Sequence, residues 1–290
     1  MDKVTLMTED ALPGFFHDAE REAARAQYQT LWWSRIRLGG ALLAALGGAL
    51  TWKVDGFEVW AAVAVAGFCL ALVTELLLAF KRPERQWYSA RAVAESLKSL
   101  SWRFAVAGFP FDGADARALL RERARGIVTR YEGLHLTAEN PYVTERMLTL
   151  RAAPFAERKS AYLQCRVLDQ KDWYSRNARK NEDRVNQWRA VLIAGEMVAI
   201  VLAGCRAFGV WDADWSGVLA ALVAGGAAWI GLKRHSSLAT TYSLAARDLA
   251  LIHASLVEAG EETWPAAVAE VEETIGREHA LWLATRPADQ

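Results

Sequence analysis

Two carboxylates stand inside apolar runs. Glu75 falls between the uncharged residues 59–74 and the apolar stretch 76–80, and Glu196 lies within the apolar stretch 190–208. A carboxylate one to two helical turns inside such a run lies about 8 Å deep. It costs about 2–3 kcal/mol there, less near an interface. It faces a water-filled path or a partner, or it snorkels to a cation at the helix end, as Glu196 could to Arg189. Glu75 and Glu196 are therefore the pore-lining candidates. A second group is Trp173, Tyr174, Arg176, Arg179, Lys180 and Arg184. Aromatic rings beside cations can stack on bases and neutralise phosphates, so these six are candidates for binding a nucleotide or oligonucleotide. A basic helix facing lipid headgroups needs the same cations. Both readings stay open.

Other chemistry is not spelled out. The five histidines, at 17, 135, 235, 253 and 279, are scattered, and His279 has no second histidine four positions away. Cys69, Cys165 and Cys205 are an odd number without metal-ligand spacing, and they read as small hydrophobes in a reducing compartment. No nucleophile–base pair and no phosphate-cradling glycine loop is evident. The expectation is a protein that is not an enzyme, with no metal and no cofactor.

The elements that position the two carboxylates are membrane-type hairpins. The hydrophobic fraction is 53% while mean hydropathy is only +0.03, so the apolar residues must be clustered. Residues 38–52 and 59–74 carry no charge; extended into their flanks they give spans of about 36–53 and 59–80, near the roughly 20 residues that cross a bilayer core. A turn at 53–58, with Gly56, joins them as antiparallel neighbours. Spans of about 190–208 and 215–232 repeat the arrangement around the break 208–215, which contains Asp212 and Asp214. Each hairpin carries a ridge of small residues, Gly40–Ala44–Gly48 and Gly217–Ala221–Gly225, of the kind that lets helices approach closely in lipid.

The hairpins belong to two parallel repeats offset by about 154 residues: Ile36 falls on Ala190, Tyr88 on Tyr242, Ser89 on Ser243 and Ala92 on Ala246. The organisation expected is an exposed leader over 1–14, a first repeat over 15–134, a connector over 135–157 with breaks at Asn140-Pro141 and Pro154, and a second repeat over 158–290. No signal peptide is expected, because residues 1–22 are charged. Net charge is zero but uneven: residues 81–189 hold 22 basic against 13 acidic residues, and residues 233–290 hold 5 against 9. The helix ends at Arg35/Arg37, Lys81/Arg82/Arg85, Arg184/Arg189 and Lys233/Arg234 are basic, and the turns between them are acidic. By the positive-inside rule, both termini and residues 81–189 lie in the cytoplasm. The fold class expected is an all-α integral membrane protein. Two tandem transmembrane helical hairpins make four spans, and long helices extend into a cytosolic helical domain.

The segment Trp173-Tyr174-Ser175-Arg176-Asn177-Ala178-Arg179-Lys180-Asn181, the exit helix from Tyr242 to Arg247 and the closing Arg277-Glu278-His279-Ala280-Leu281-Trp282 resemble the SLATT superfamily, two-transmembrane effector domains associated with SMODS nucleotidyltransferases and SLOG proteins. The second half carries most of the likeness, and the first resembles a more divergent copy. The resemblance implies a bacterial inner-membrane effector of anti-phage defence. It would be a homo-oligomeric pore that permeabilises the membrane, under control of a nucleotide signal from a partner nucleotidyltransferase. The alternative is a non-conducting membrane scaffold or receptor that recruits a cytosolic partner.

Overall fold

The computed structural model describes residues 7–131, 134, 136, 137, 142–211 and 213–284, with side chains through Gly276. His135, the Asn140-Pro141 break, Asp212 and the side chains of the Arg277–Trp282 motif lie outside the described residues. The described residues are almost wholly helical: α1 Gly14–Ala49, α2 Val59–Lys81, α3 Pro83–Ala105, α4 Ala116–Arg130, α5 Glu145–Ala152, α6 Phe155–Tyr162, α7 Asp169–Ala207, α8 Trp215–Lys233, α9 His235–Glu258 and α10 Trp264–Ala284. A π-helical segment, Leu163–Leu168, links α6 to α7 without a break. Strands β1 (Lys53–Val54) and β2 (Phe57–Glu58) pair antiparallel between α1 and α2. Asp55 and Gly56 both take positive φ there, the backbone that a two-residue hairpin with right-handed strand twist demands.

The chain forms two compact units. One is made of the described residues of Met1–Ala26, Glu84–Ala178 and Thr240–Gln290; the other is Gln27–Pro83 with Arg179–Ala239. The first has a packed apolar core. Leu97, Phe104, Phe111, Leu120, Met147, Leu150, Tyr162, Leu249 and Trp264 are buried in one cluster. Trp264 Nε1 donates to the Val106 carbonyl, so even its polar atom is satisfied.

The expectation of an exposed leader needs correction. Met7, Ala11 and Leu12 are buried in this core, and Pro13 leads directly into α1, its carbonyl accepting from the Phe16 N–H at 3.0 Å. A short 3-10 turn, Glu9–Ala11, puts these apolar residues on one side, and Thr144 Oγ1 donates to the Ala11 carbonyl. Residues 1–6 lie outside the described residues.

The second unit holds the two hairpins. Three helical stretches among the described residues are long and apolar enough to cross a membrane: Val59–Ala105, Phe155–Ala207 and Trp215–Glu258. Their apolar parts coincide with α2, the second half of α7, and α8. The first expected span fares differently. α1 stops at Ala49 instead of reaching residue 53, and Arg35 and Arg37 sit within its last four turns. The two hairpins end alike. Arg82 closes α2 and Arg234 closes α8, both left-handed, each donating its backbone N–H to the carbonyl four residues back, Leu78 and Ile230. An exit helix starts at once after each, which is the repeat seen in three dimensions.

Candidate functional site

The first unit contains a cavity of about 560 Å³. Its wall on one side is aromatic. Trp173 and Tyr174 at the start of α7 meet Tyr242 of α9, with ring centroids 5.3 Å apart for Trp173–Tyr174, 5.2 Å for Trp173–Tyr242 and 5.5 Å for Tyr174–Tyr242. On another side α3 presents Arg91, Glu95, Ser99 and Arg103, spaced by four residues or one turn, so that one helix face becomes a polar wall. Arg91 pairs with Glu95 at 2.6 Å and Arg103 reaches the Ala269 carbonyl at 3.2 Å. The arrangement suits a ligand with a flat ring and hydrogen-bond acceptors.

Beneath the cavity lies a buried charge network. The π-helical segment turns Arg166 inward, where its side chain is 1% exposed. π-helical turns recur at functional sites because they re-aim a side chain without ending a helix. Arg166 Nε and Nη2 donate to the two Glu272 oxygens at 2.9 and 2.7 Å, and the Tyr162 hydroxyl donates to Glu272 Oε1 at 2.9 Å. Burial first, and the Glu272 carboxylate second, push the Tyr162 phenol well above its ordinary range. Burial alone would lower the Arg166 value, but the charge and hydrogen bonds of Glu272 outweigh it and raise it. Arg166 keeps its charge, and the energetic weight of the pair lies in what removal of one partner leaves behind.

The expected site residues separate. Trp173 and Tyr174 line the cavity; Arg176, Arg179, Lys180 and Arg184 do not. Arg176, Arg179, Lys180 and Arg184 are exposed on α7, the last three within the hairpin unit. The cations that do line the cavity, Arg91, Arg103 and Arg166, were not anticipated from the sequence. Their signal was present as four-residue spacing of polar groups along α3, and as Arg166, Gln170 and Trp173 on one face of the long helix.

The two membrane-depth carboxylates also differ. Glu75 pairs with Arg37 across the first hairpin. Glu196 is exposed and makes no ion pair or side-chain hydrogen bond among the described residues, Arg189 included. Its neighbours Ile193, Met197 and Ile200 are exposed, Ile200 by 72%.

The hairpins pack in two ways. In the first, glycine lies directly on backbone. A Cβ added to Gly47 would stand 2.5 Å from Ala64 N, one added to Gly67 2.5 Å from Ala44 N, and one added to Gly40 2.8 Å from the Gly67 carbonyl oxygen. The expected ridge therefore runs through Gly40, Ala44 and Gly47, one position off its sequence assignment, while Gly48 meets nothing within 4 Å. In the second hairpin the contacts are to side chains: Gly195 against Val223 and Gly226 against Leu192. Of its expected ridge, Gly225 instead approaches Leu42 of α1, and Gly217 sits over Asp214 of its own cap.

These features define a helical protein with a packed unit built around a buried apolar core and a pair of apolar hairpins. Residues 13–159 match the family described as SMODS and SLOG-associating 2TM effector domain 3, and residues 162–282 match effector domain 1 of the same series. The chain belongs to the SLATT family and carries two tandem SLATT domains. SLATT domains are two-transmembrane effector domains linked to defence systems. No curated protein and no solved structure matches the chain.

Proposed function

We propose that this protein is a non-enzymatic membrane effector of bacterial anti-phage defence that assembles from several copies into a pore in the inner membrane. The observation that carries this reading is Glu196. It is a carboxylate without an ion pair among the described residues, on an exposed apolar face of α7, a position that is costly against lipid and stable against water or a neighbouring copy. Four spans, α1 and α2 with the end of α7 and α8, enclose little space by themselves, so the conducting path would lie on the symmetry axis of a homo-oligomer. Both chain ends and the packed unit would face the cytoplasm, since the hairpin ends are basic.

The cavity of the packed unit is then the place where a nucleotide or oligonucleotide from a partner nucleotidyltransferase would be read. Its base would stack on Trp173 and its phosphates would meet Arg91 and Arg103. Because α7 carries both Trp173 and Glu196, a ligand that shifts the start of this helix acts on the element that holds the carboxylate.

Proteoliposome flux tests the reading. The wild type conducts ions, Glu196→Ala changes rate or selectivity, and Trp173→Ala abolishes the nucleotide response while leaving basal flux in place. Unchanged flux in both Glu75→Ala and Glu196→Ala would remove their pore role. No flux from the wild type under any nucleotide, together with a stable co-purifying partner, would favour a non-conducting scaffold instead.

A further inference from the structure

At the basic end of the hairpin unit, two cations converge on one ring. Arg35 of α1 lies 5.3 Å from the centroid of Trp229, and Lys233 Nζ of α8 lies 5.2 Å from the same centroid. Two other cations of the hairpins find carboxylates: Arg37 has Glu75, and Arg206 has Asp214 at 2.7 Å. Arg35 and Lys233 have no ion pair or side-chain hydrogen bond among the described residues. The surroundings are positive as well. His235 is hydrogen-bonded through Nδ1 to Asn181 Oδ1 at 2.6 Å. Burial, and then the nearby charges of Lys233 and Arg184, hold its imidazole below the ordinary range. Glu182 and Asp183 precede Arg184 in the chain but form no ion pair among the described residues.

Two like charges sharing one indole repel, and a ring quadrupole offsets only part of that. A monoanion between them removes the repulsion and gives both cations an acceptor. We propose that Arg35 and Lys233, meeting at Trp229, hold the phosphate of an anionic phospholipid headgroup. A phosphodiester offers two acceptor oxygens and one negative charge, which suits a guanidinium on one side and an ammonium on the other. Lipid is favoured as its source because Lys233 ends an uncharged stretch that begins at Trp215, the level at which headgroups lie, and Trp229 is the amphipathic ring expected at that depth. Basic pockets between membrane helices hold anionic headgroups in this way. The proposal rests on the reading that the hairpins are embedded in a bilayer.

The test uses the full chain in nanodiscs and in detergent. Retention of phosphatidylglycerol over phosphatidylcholine is measured by native mass spectrometry, with membrane-fraction recovery scored separately so that loss of embedding and loss of headgroup binding are told apart. The wild type should retain phosphatidylglycerol preferentially. Arg35→Gln and Lys233→Gln should each weaken retention about fivefold and the double variant roughly twentyfold, while Arg123→Gln, at an exposed position of the packed unit, should leave it unchanged. If the double variant does not fold, the wild type alone decides: no preference for phosphatidylglycerol overturns the proposal. So does a folded double variant that retains the lipid as the wild type does. Displacement of the lipid by millimolar inorganic phosphate, with the same Arg35 and Lys233 dependence, would support the phosphate chemistry and overturn lipid as its source.

Discussion

The two units of this chain follow opposite rules. In the packed unit the apolar residues are hidden and a charge pair is buried: Trp264, Phe104 and Leu249 are nearly inaccessible, and so are Arg166 and Glu272. In the hairpin unit the apolar residues are exposed and the charges collect at helix ends. None of the apolar window in α7 or in α8 is buried within the protein, against 11% for α2. Water cannot be the solvent for both surfaces, since an exposed apolar area this continuous needs lipid or another protein against it. The same contrast recurs on a smaller scale between the hairpins. The first locks glycine against backbone and ties Glu75 to Arg37; the second interposes side chains and leaves Glu196 without an ion pair among the described residues. The first repeat is held by backbone contacts, and the second leaves an apolar surface and a carboxylate exposed.

The largest effect should come from breaking the buried pair in the packed unit. Glu272→Ala strands a guanidinium that is 1% exposed, and should cost about 3–5 kcal/mol. Differential scanning fluorimetry in detergent should show a large fall in Tm; a fall no bigger than that of a surface control would contradict the network's role. Next come the hairpins. Gly67→Val forces a side chain against Ala44 backbone and should cost about 1–3 kcal/mol, whereas Gly226→Val meets the mobile end of Leu192 and should cost less. Equal losses would erase the distinction between the two hairpins.

Alkaline pH probes the packed unit more gently. The folded Tyr162 phenol holds its proton above the range at which an unfolded tyrosine, near 10, releases it. The stability this confers is present in full below about pH 10 and is lost as pH rises further, because the unfolded state then binds fewer protons. Tyr162→Phe should flatten that alkaline decline while losing the hydrogen bond to Glu272. The smallest effect belongs to the exposed Arg37–Glu75 pair. In detergent, Glu75→Gln should change stability by about 0–1 kcal/mol. A much larger loss would mean that the pair, and not the glycine contacts, holds the first hairpin.

Much of this was legible in the sequence. Charge-free runs ending in Lys-Arg mark α2 and α8 within a residue or two, and Asp55-Gly56 announces a tight turn because both positions need positive φ. The family follows from the motifs around Trp173 and Tyr242. What was not legible depended on the third dimension. The small-residue ridge slipped from Gly48 to Gly47 because the register between two helices is set by their partner, not by spacing alone. Arg91, Arg103 and Arg166 looked like ordinary solvated charges; nothing local shows that a π-helical turn swings Arg166 into the core. Met7 and Leu12 read as a tail because too few apolar residues precede Pro13 to reveal a periodicity.

The central claim is that both hairpins cross the bilayer, with the packed unit on the cytoplasmic side. Single cysteines placed at Gly56, Gly209 and Arg123, in a chain lacking Cys69, Cys165 and Cys205, can be probed in spheroplasts with a membrane-impermeant maleimide. The account predicts labelling of positions 56 and 209 in intact spheroplasts, and of position 123 only after lysis. Labelling of position 56 only after lysis would contradict it, because α1 and α2 would then not form a membrane-crossing hairpin.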